Sequence, residues 1–297
     1  MLSQARATGI FINYIRVFAV TISRLSHYAL LVNKVRYWAV HENSCILKTE
    51  GLSKSFNGFA AVSNVNLRVE RETIHALIGP NGAGKTTCFN LLTKFIEPSA
   101  GKIIFNNKDI SSEKPSEIAR RGIIRSFQIS AVFPHMTVLE NVRFGMQRSL
   151  GTSFYFWKNI NSLNVLNERA MRALEEVDLH GFADELAVNL PYGRKRALEI
   201  AATIVMEPEL MLLDEPTQGM GHEDVGLVTA LIKKVSKGRT VLMVEHNMKV
   251  VSNIADTISV LQRGEVIAEG SYAEVSKNPQ VIEAYMGSTD DEVIAGH

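Results

Sequence analysis

The run Gly79-Pro80-Asn81-Gly82-Ala83-Gly84-Lys85-Thr86-Thr87 puts three glycines, a cation and two hydroxyls within nine residues. An apolar segment ending at Ile78 precedes it and Phe89, Leu91 and Leu92 follow, the order of strand, glycine-rich loop and helix that a phosphate cradle requires. Glycines let the backbone wrap closely and turn its N–H groups inward, while the helix N-terminus adds its positive end. Lys85 would then lie against the β- and γ-phosphates. Thr86 would offer its hydroxyl to Mg²⁺, a hard cation that takes oxygen ligands. A glycine turn with a chance Lys-Thr pair is the plainer alternative.

Two further groups stand where phosphate chemistry would need them. Leu210-Met211-Leu212-Leu213-Asp214-Glu215 reads as a buried strand ending in two carboxylates at the carboxyl edge of a sheet. There Asp214 would hold Mg²⁺, and Glu215 would orient the attacking water, because in-line phosphoryl transfer needs a positioned nucleophile. The same pair could merely cap the next turn. Downstream, Thr240 to Val244 ends in Glu245-His246-Asn247. His246 could donate to a γ-phosphate, or simply satisfy local loop groups.

The elements that position these residues are legible as an alternation. Short β-rich runs come first, at Ile46 to Thr49, Val62 to Val69 and Thr73 to Ile78, with Asn57-Gly58 as a turn signal. Apolar strands then alternate with helical patterns, including Leu210 to Leu213, Thr240 to Val244 and Ile258 to Leu261, as in a largely parallel α/β sheet. Between Ile129 and Arg196 strands are scarce, and Leu166, Ala170, Ala173, Leu174 and Val177 recur at helical spacing. A helical subdomain inserted into an α/β core is the expectation.

Taken in order, six elements resemble the ABC ATPase family from Ile46 to Gly287. They are Phe56 in Ser55-Phe56, the loop from Gly79, Gln128 in Arg125-Ser126-Phe127-Gln128, Leu190-Pro191-Tyr192-Gly193-Arg194-Lys195-Arg196, Asp214-Glu215, and His246. The resemblance implies a P-loop NTPase core with an antiparallel β subdomain and an inserted helical subdomain of about residues 129–196. It implies that Phe56 stacks on adenine, that Gln128 reaches Mg²⁺ beside Thr86 and Asp214, and that Lys85, Glu215 and His246 carry the hydrolysis of ATP. The segment at Gly193 would complete ATP binding in a partner subunit. Here the chain departs from the usual Leu-Ser-Gly-Gly-Gln: Pro191 removes a hydroxyl and a backbone donor, Tyr192 replaces a glycine and Arg194 the glutamine. The Arg194-Lys195-Arg196 run reads as a solvated helix face rather than a nucleic-acid contact.

Within the family the stretches Ile118 to Gln128, Met136 to Val142 and Glu283 to Gly287 are similar to ATP-binding subunits of branched-chain amino acid importers. That likeness implies a heterodimer with a second ATPase, or a homodimer, working on two membrane permeases and indirectly on a periplasmic solute-binding protein, with no nucleic acid. Urea and short-amide importers are the neighbouring alternative. The chain would sit on the cytoplasmic face of the cell membrane as a peripheral subunit.

Bulk properties agree with such a body. The 297 residues carry a formal charge of +1, which argues against a polyanion-binding surface. Cys45 and Cys88 have no metal-ligand spacing and fit a reducing compartment. No run of eighteen or more apolar residues occurs, so transport would need other chains. Residues 1–44 differ in character, with a charge of +4 and an apolar stripe at Phe11, Ile15, Phe18, Ile22, Leu25, Ala29 and Val32. They read as an amphipathic helix for a membrane or partner, as a poorly ordered stretch, or as a segment upstream of the natural start. The ATPase domain is expected over 45–287, with a tail at 288–297.

Overall fold

The computed structural model describes residues 44–126, 132–147 and 166–286. Contacts divide the chain at Cys45, and the described site lies wholly in the unit that begins at Ile46. The elements in order are β1 (Cys45–Phe56), β2 (Phe59–Val65), β3 (Arg68–Glu70), β4 (Ile74–Ile78), α1 (Lys85–Leu92), β5 (Ala100–Phe105), β6 (Lys108–Asp109), α2 (Pro115–Arg120) and β7 (Ile123–Ser126). There follow α3 (Val138–Gln147), α4 (Asn167–Glu176), α5 (Tyr192–Ile204), β8 (Leu210–Asp214), α6 (His222–Val235), β9 (Thr240–Val244), α7 (Met248–Ile254), β10 (Thr257–Gln262), β11 (Glu265–Gly270), α8 (Tyr272–Val275) and α9 (Pro279–Met286).

Two sheets form. One runs β2-β1-β5-β6 with β3 beside β1, and its β1–β2, β1–β5 and β5–β6 pairs are antiparallel. The Asn57-Gly58 turn closes the β1–β2 hairpin, both residues at positive φ (48° and 88°), which suits a tight two-residue connection. The expected Val62 to Val69 run is instead two strands. Between them Asn66 turns back, its Oδ1 accepting from the Gly51 N–H at 2.8 Å, so the chain bends across β1 rather than continuing straight.

The second sheet has the order β11-β10-β4-β9-β8-β7, parallel except for the β10–β11 edge hairpin. Its inner strands are apolar on both faces because both faces are covered. Leu77, Leu212 and Leu242 pack with Phe89 and Leu91 of α1 and with the antiparallel sheet. Ile78, Met211, Leu213 and Met243 pack on the other face with Leu198 of α5, Ile232 of α6 and Val251 of α7. Each fully buried side chain of this kind contributes roughly 2 kcal/mol. Between β7 and β8 every described element is helical, and Leu166, Ala170, Ala173, Leu174 and Val177 are buried together as their spacing predicts.

Candidate nucleotide site

Sheet order brings the chemistry together. β4, β9 and β8 are neighbours with parallel pairing, Leu77 beside Val244 and Val244 beside Asp214. Gly79, Glu215 and His246 therefore leave the sheet at one carboxyl edge, where a doubly wound sheet binds its ligands.

The glycine loop is shaped from behind. A Cβ on Gly79 (φ +149°) would lie 2.1 Å from the Leu261 carbonyl oxygen, and one on Gly84 (φ +102°) 2.5 Å from that of Ala61, so only glycine fits at either place. The β10–β11 turn fixes the loop's end through Gly264 N–H to the Ala83 carbonyl (2.9 Å). Tyr285 of α9 is buried against the Gly79 backbone, and its burial raises the phenol well above the ordinary range. Lys85 Nζ donates to the Gly79 (2.7 Å) and Pro80 (3.1 Å) carbonyls, which holds the ammonium inside the loop's curve. Thr86, in the first turn of α1, is exposed.

Asp214 is completely buried. Its Oδ2 is paired with Arg125 of β7, whose Nη1 also donates to Asn90 Oδ1 of α1 at 2.6 Å. Its Oδ1 is buried with no donor among the described residues. A buried carboxylate oxygen without a donor and, on the helix after the glycine loop, an exposed threonine hydroxyl are hard oxygen donors of the kind a hydrated Mg²⁺ takes, so the residues present suit it. Glu215 follows in a left-handed conformation (φ 44°), unusual for a side-chain-bearing residue and costing about 1–3 kcal/mol. Its N–H donates to the Val244 carbonyl at 2.9 Å, tying this strained turn to β9. His246 is exposed at the same edge.

Phe56 ends β1 and is 44% exposed, with Lys54 Nζ 5.1 Å from its ring centroid. Gln128 lies outside the described residues. Gly193 sits in the first turn of α5 against α6: a Cβ there would meet Asp224 Oδ1 at 2.6 Å. Pro191 occupies the N-cap without a side-chain hydrogen bond, and the Tyr192 hydroxyl donates to the Gln218 carbonyl at 3.3 Å.

One sequence reading is corrected. Arg196 is buried rather than solvated: it pairs with Glu199 and donates to the carbonyls of Asp214 (3.3 Å) and Pro216 (3.2 Å). Only Arg194 of that run is exposed, lying 4.0 Å from the Phe182 ring centroid. Sequence reasoning also passed over Glu245, treated only as the residue before His246, which is fully buried and accepts four hydrogen bonds. A carboxylate inside an apolar strand end, where burial is costly without donors, was the available signal.

A phosphate loop on β4, carboxylates after β8 and a histidine after β9 define a P-loop nucleotide-binding protein. Residues 62–218 match the ABC transporter family model, and the chain belongs to that family. Residues 265–291 match a second model, the branched-chain amino acid ATP-binding cassette transporter. Over 249 residues the chain is 40% identical to the high-affinity branched-chain amino acid transport ATP-binding protein BraF of Pseudomonas aeruginosa, covering 82% of this chain and 98% of that one. Identity to the Escherichia coli protein LivG, of the same description, is 38% with the same coverage. Among solved structures, the ADP conformation of MJ1267, an ATP-binding cassette of an ABC transporter, matches with a TM-score of 0.73 at 32% identity, over 82% of this chain and 99% of that one. A second, cbiO1 from Clostridium perfringens, gives a TM-score of 0.68 at 29% identity over 81% and 94%.

Proposed function

We propose that this chain is the ATP-hydrolysing subunit of an importer for branched-chain amino acids. The observation that carries the cargo is the match of residues 265–291 to the branched-chain amino acid cassette, a segment that includes Tyr285 against the glycine loop. What carries the chemistry is the convergence of Gly79–Thr87, Asp214, Glu215 and His246 at one sheet edge.

In this reading the Gly79–Thr87 backbone and Lys85 hold the β- and γ-phosphates, and Phe56 stacks on adenine. Mg²⁺, held by Thr86, Asp214 and Gln128, would neutralise charge that develops between the two phosphates. Glu215 orients a water whose oxygen bonds to the γ-phosphorus as the bond to the β,γ-bridging oxygen breaks; the electron pair leaves with ADP and the proton moves toward Glu215. His246 donates to the γ-phosphate. Gly193 and the α5 N-terminus serve the site of a partner subunit.

The partners we assign are a second ATPase, identical or related, two permeases and, indirectly, a periplasmic binding protein, which places the chain peripherally at the inner face of the membrane. Among the described residues no helix is long and apolar enough to cross a membrane. Residues 45–287 form the ATPase domain, with 129–196 as its helical part, 1–44 as an extension and 288–297 as a tail.

ATP-dependent uptake of radiolabelled leucine and urea in vesicles holding the complete complex tests this. Leucine uptake that disappears in Glu215→Gln is the expected result. Urea uptake instead would move the cargo, and uptake of neither would remove the transport reading.

A further inference from the structure

The loops that carry Glu215 and His246 are joined by one side chain. Glu245 directly follows β9 and has no solvent exposure. Its Oε1 accepts from the Thr217 N–H (3.1 Å) and hydroxyl (2.5 Å), and its Oε2 from the backbone N–H groups of His246 (2.9 Å) and Asn247 (3.0 Å). None of these four donors is a cation, so the carboxylate acts as a hydrogen-bonding strut. Asn247 in turn caps α7, its Oδ1 accepting from the Lys249 (3.0 Å) and Val250 (3.4 Å) N–H groups. One arm of Glu245 thus holds the loop after β8, and the other holds the entry to α7.

We propose that Glu245 is a positioning residue that sets the spacing between Glu215 and His246, so that the water-orienting carboxylate and the phosphate-contacting imidazole are placed as a unit. The proposal rests on the assignment of those two residues to the γ-phosphate. Glu215 is held at its N–H by Val244, and Thr217, two residues on, is held by Glu245. A left-handed glutamate persists only where its surroundings fix it from both sides. With the strut cut, the two loops shift independently, and a displacement of about 1 Å at a reacting group costs on the order of 100-fold.

Glu245→Gln separates the two arms. Its volume is unchanged, but its single carbonyl oxygen can serve only one arm, and its amide N–H groups then face the N–H donors of the other. The full-length chain, assembled with its partner subunits, is assayed for ATP hydrolysis as native protein and as E245Q, H246A, E215Q, T217V, T217S and E245Q/H246A. E245Q is expected to lower kcat roughly 100-fold with KM for ATP within about twofold, because the glycine loop is untouched. E245Q/H246A should fall no lower than the worse single variant, since the strut acts partly through His246. T217V should lose about tenfold, and T217S, which keeps the hydroxyl, should recover the greater part of the rate.

A role confined to stability would lower the melting temperature and let the E245Q and H246A losses multiply; multiplied losses, or a native kcat in E245Q, overturn the proposal. Should E245Q fail to assemble, T217V and T217S decide, and equal rates in the two overturn it. H246A and E215Q at the native rate would instead remove the site assignment, and the strut with it.

Discussion

Arg125 and Asp214 form a buried ion pair across the neighbouring parallel strands β7 and β8, and the same guanidinium reaches Asn90 of the helix that follows the glycine loop. The phosphate loop's helix and Asp214 are thereby held by a single side chain, whose guanidinium carbon lies 5.8 Å from the Phe89 ring centroid and 5.9 Å from that of Phe95. Arg125→Met keeps the apolar stem and strands a buried carboxylate, which costs about 3–5 kcal/mol. The denaturant midpoint of the full chain should fall accordingly, and half-saturation by MgATP should rise. A native midpoint would show the pair to be dispensable.

Gly79→Ala places a methyl 2.1 Å from the Leu261 carbonyl oxygen, at a backbone angle that side-chain-bearing residues avoid. Since that carbonyl belongs to the sheet, the loop must give way. A loss of at least about 2 kcal/mol is expected, together with abolished binding of a fluorescent ATP analogue. Gly82→Ala meets no atom within 4 Å, so its penalty comes from its positive φ alone and should be smaller.

Much of this site is legible from strand ends. Ile78, Leu213 and Val244 each close an apolar run, the first followed by the glycine loop and the other two by the carboxylates Asp214 and Glu245, a pattern that parallel strands buried on both faces impose. Partners within the site are not legible, because they depend on which side chains of different strands and helices meet. Nothing local announces that Arg125 reaches both Asp214 and Asn90, or that Glu245 spans two loops. The break between β2 and β3 escaped for a similar reason: Val62 to Val69 keeps a strand's composition, and the bend at Asn66 depends on a hydrogen bond to Gly51, fifteen residues away in sequence.

The Arg194-Lys195-Arg196 run shows how burial divides residues that look alike in sequence. Helix α5 is buried along most of its length from Arg196, where it packs between the parallel sheet and its neighbours α3, α4 and α6. Arg194→Ala removes one exposed contact with Phe182 and should cost less than about 1 kcal/mol. Arg196→Met leaves Glu199 buried and unpaired and frees the Asp214 and Pro216 carbonyls, at about 3–5 kcal/mol. Thermal unfolding of the two variants side by side checks the contrast, and equal losses would contradict it.

Beneath the glycine loop a polar chain crosses three strands. Ser259 of β10 donates to Glu269 Oε2 of β11 at 2.6 Å, so its oxygen must accept from His75 Nε2 of β4 at 2.8 Å, which assigns the Nε2–H tautomer. Burial lowers the imidazole from 6.5 to about 4, against a smaller opposing effect of Glu70. The folded protein therefore keeps His75 neutral where the unfolded chain has already taken up a proton. Stability owed to this residue is complete above pH 6.5 and is lost progressively as pH falls toward 4, by roughly 3 kcal/mol. His75→Gln retains a donor for Ser259 but does not titrate. The difference in unfolding free energy between native protein and this variant should slope with pH only across that interval, and a flat difference would mean that His75 is charged in the folded state.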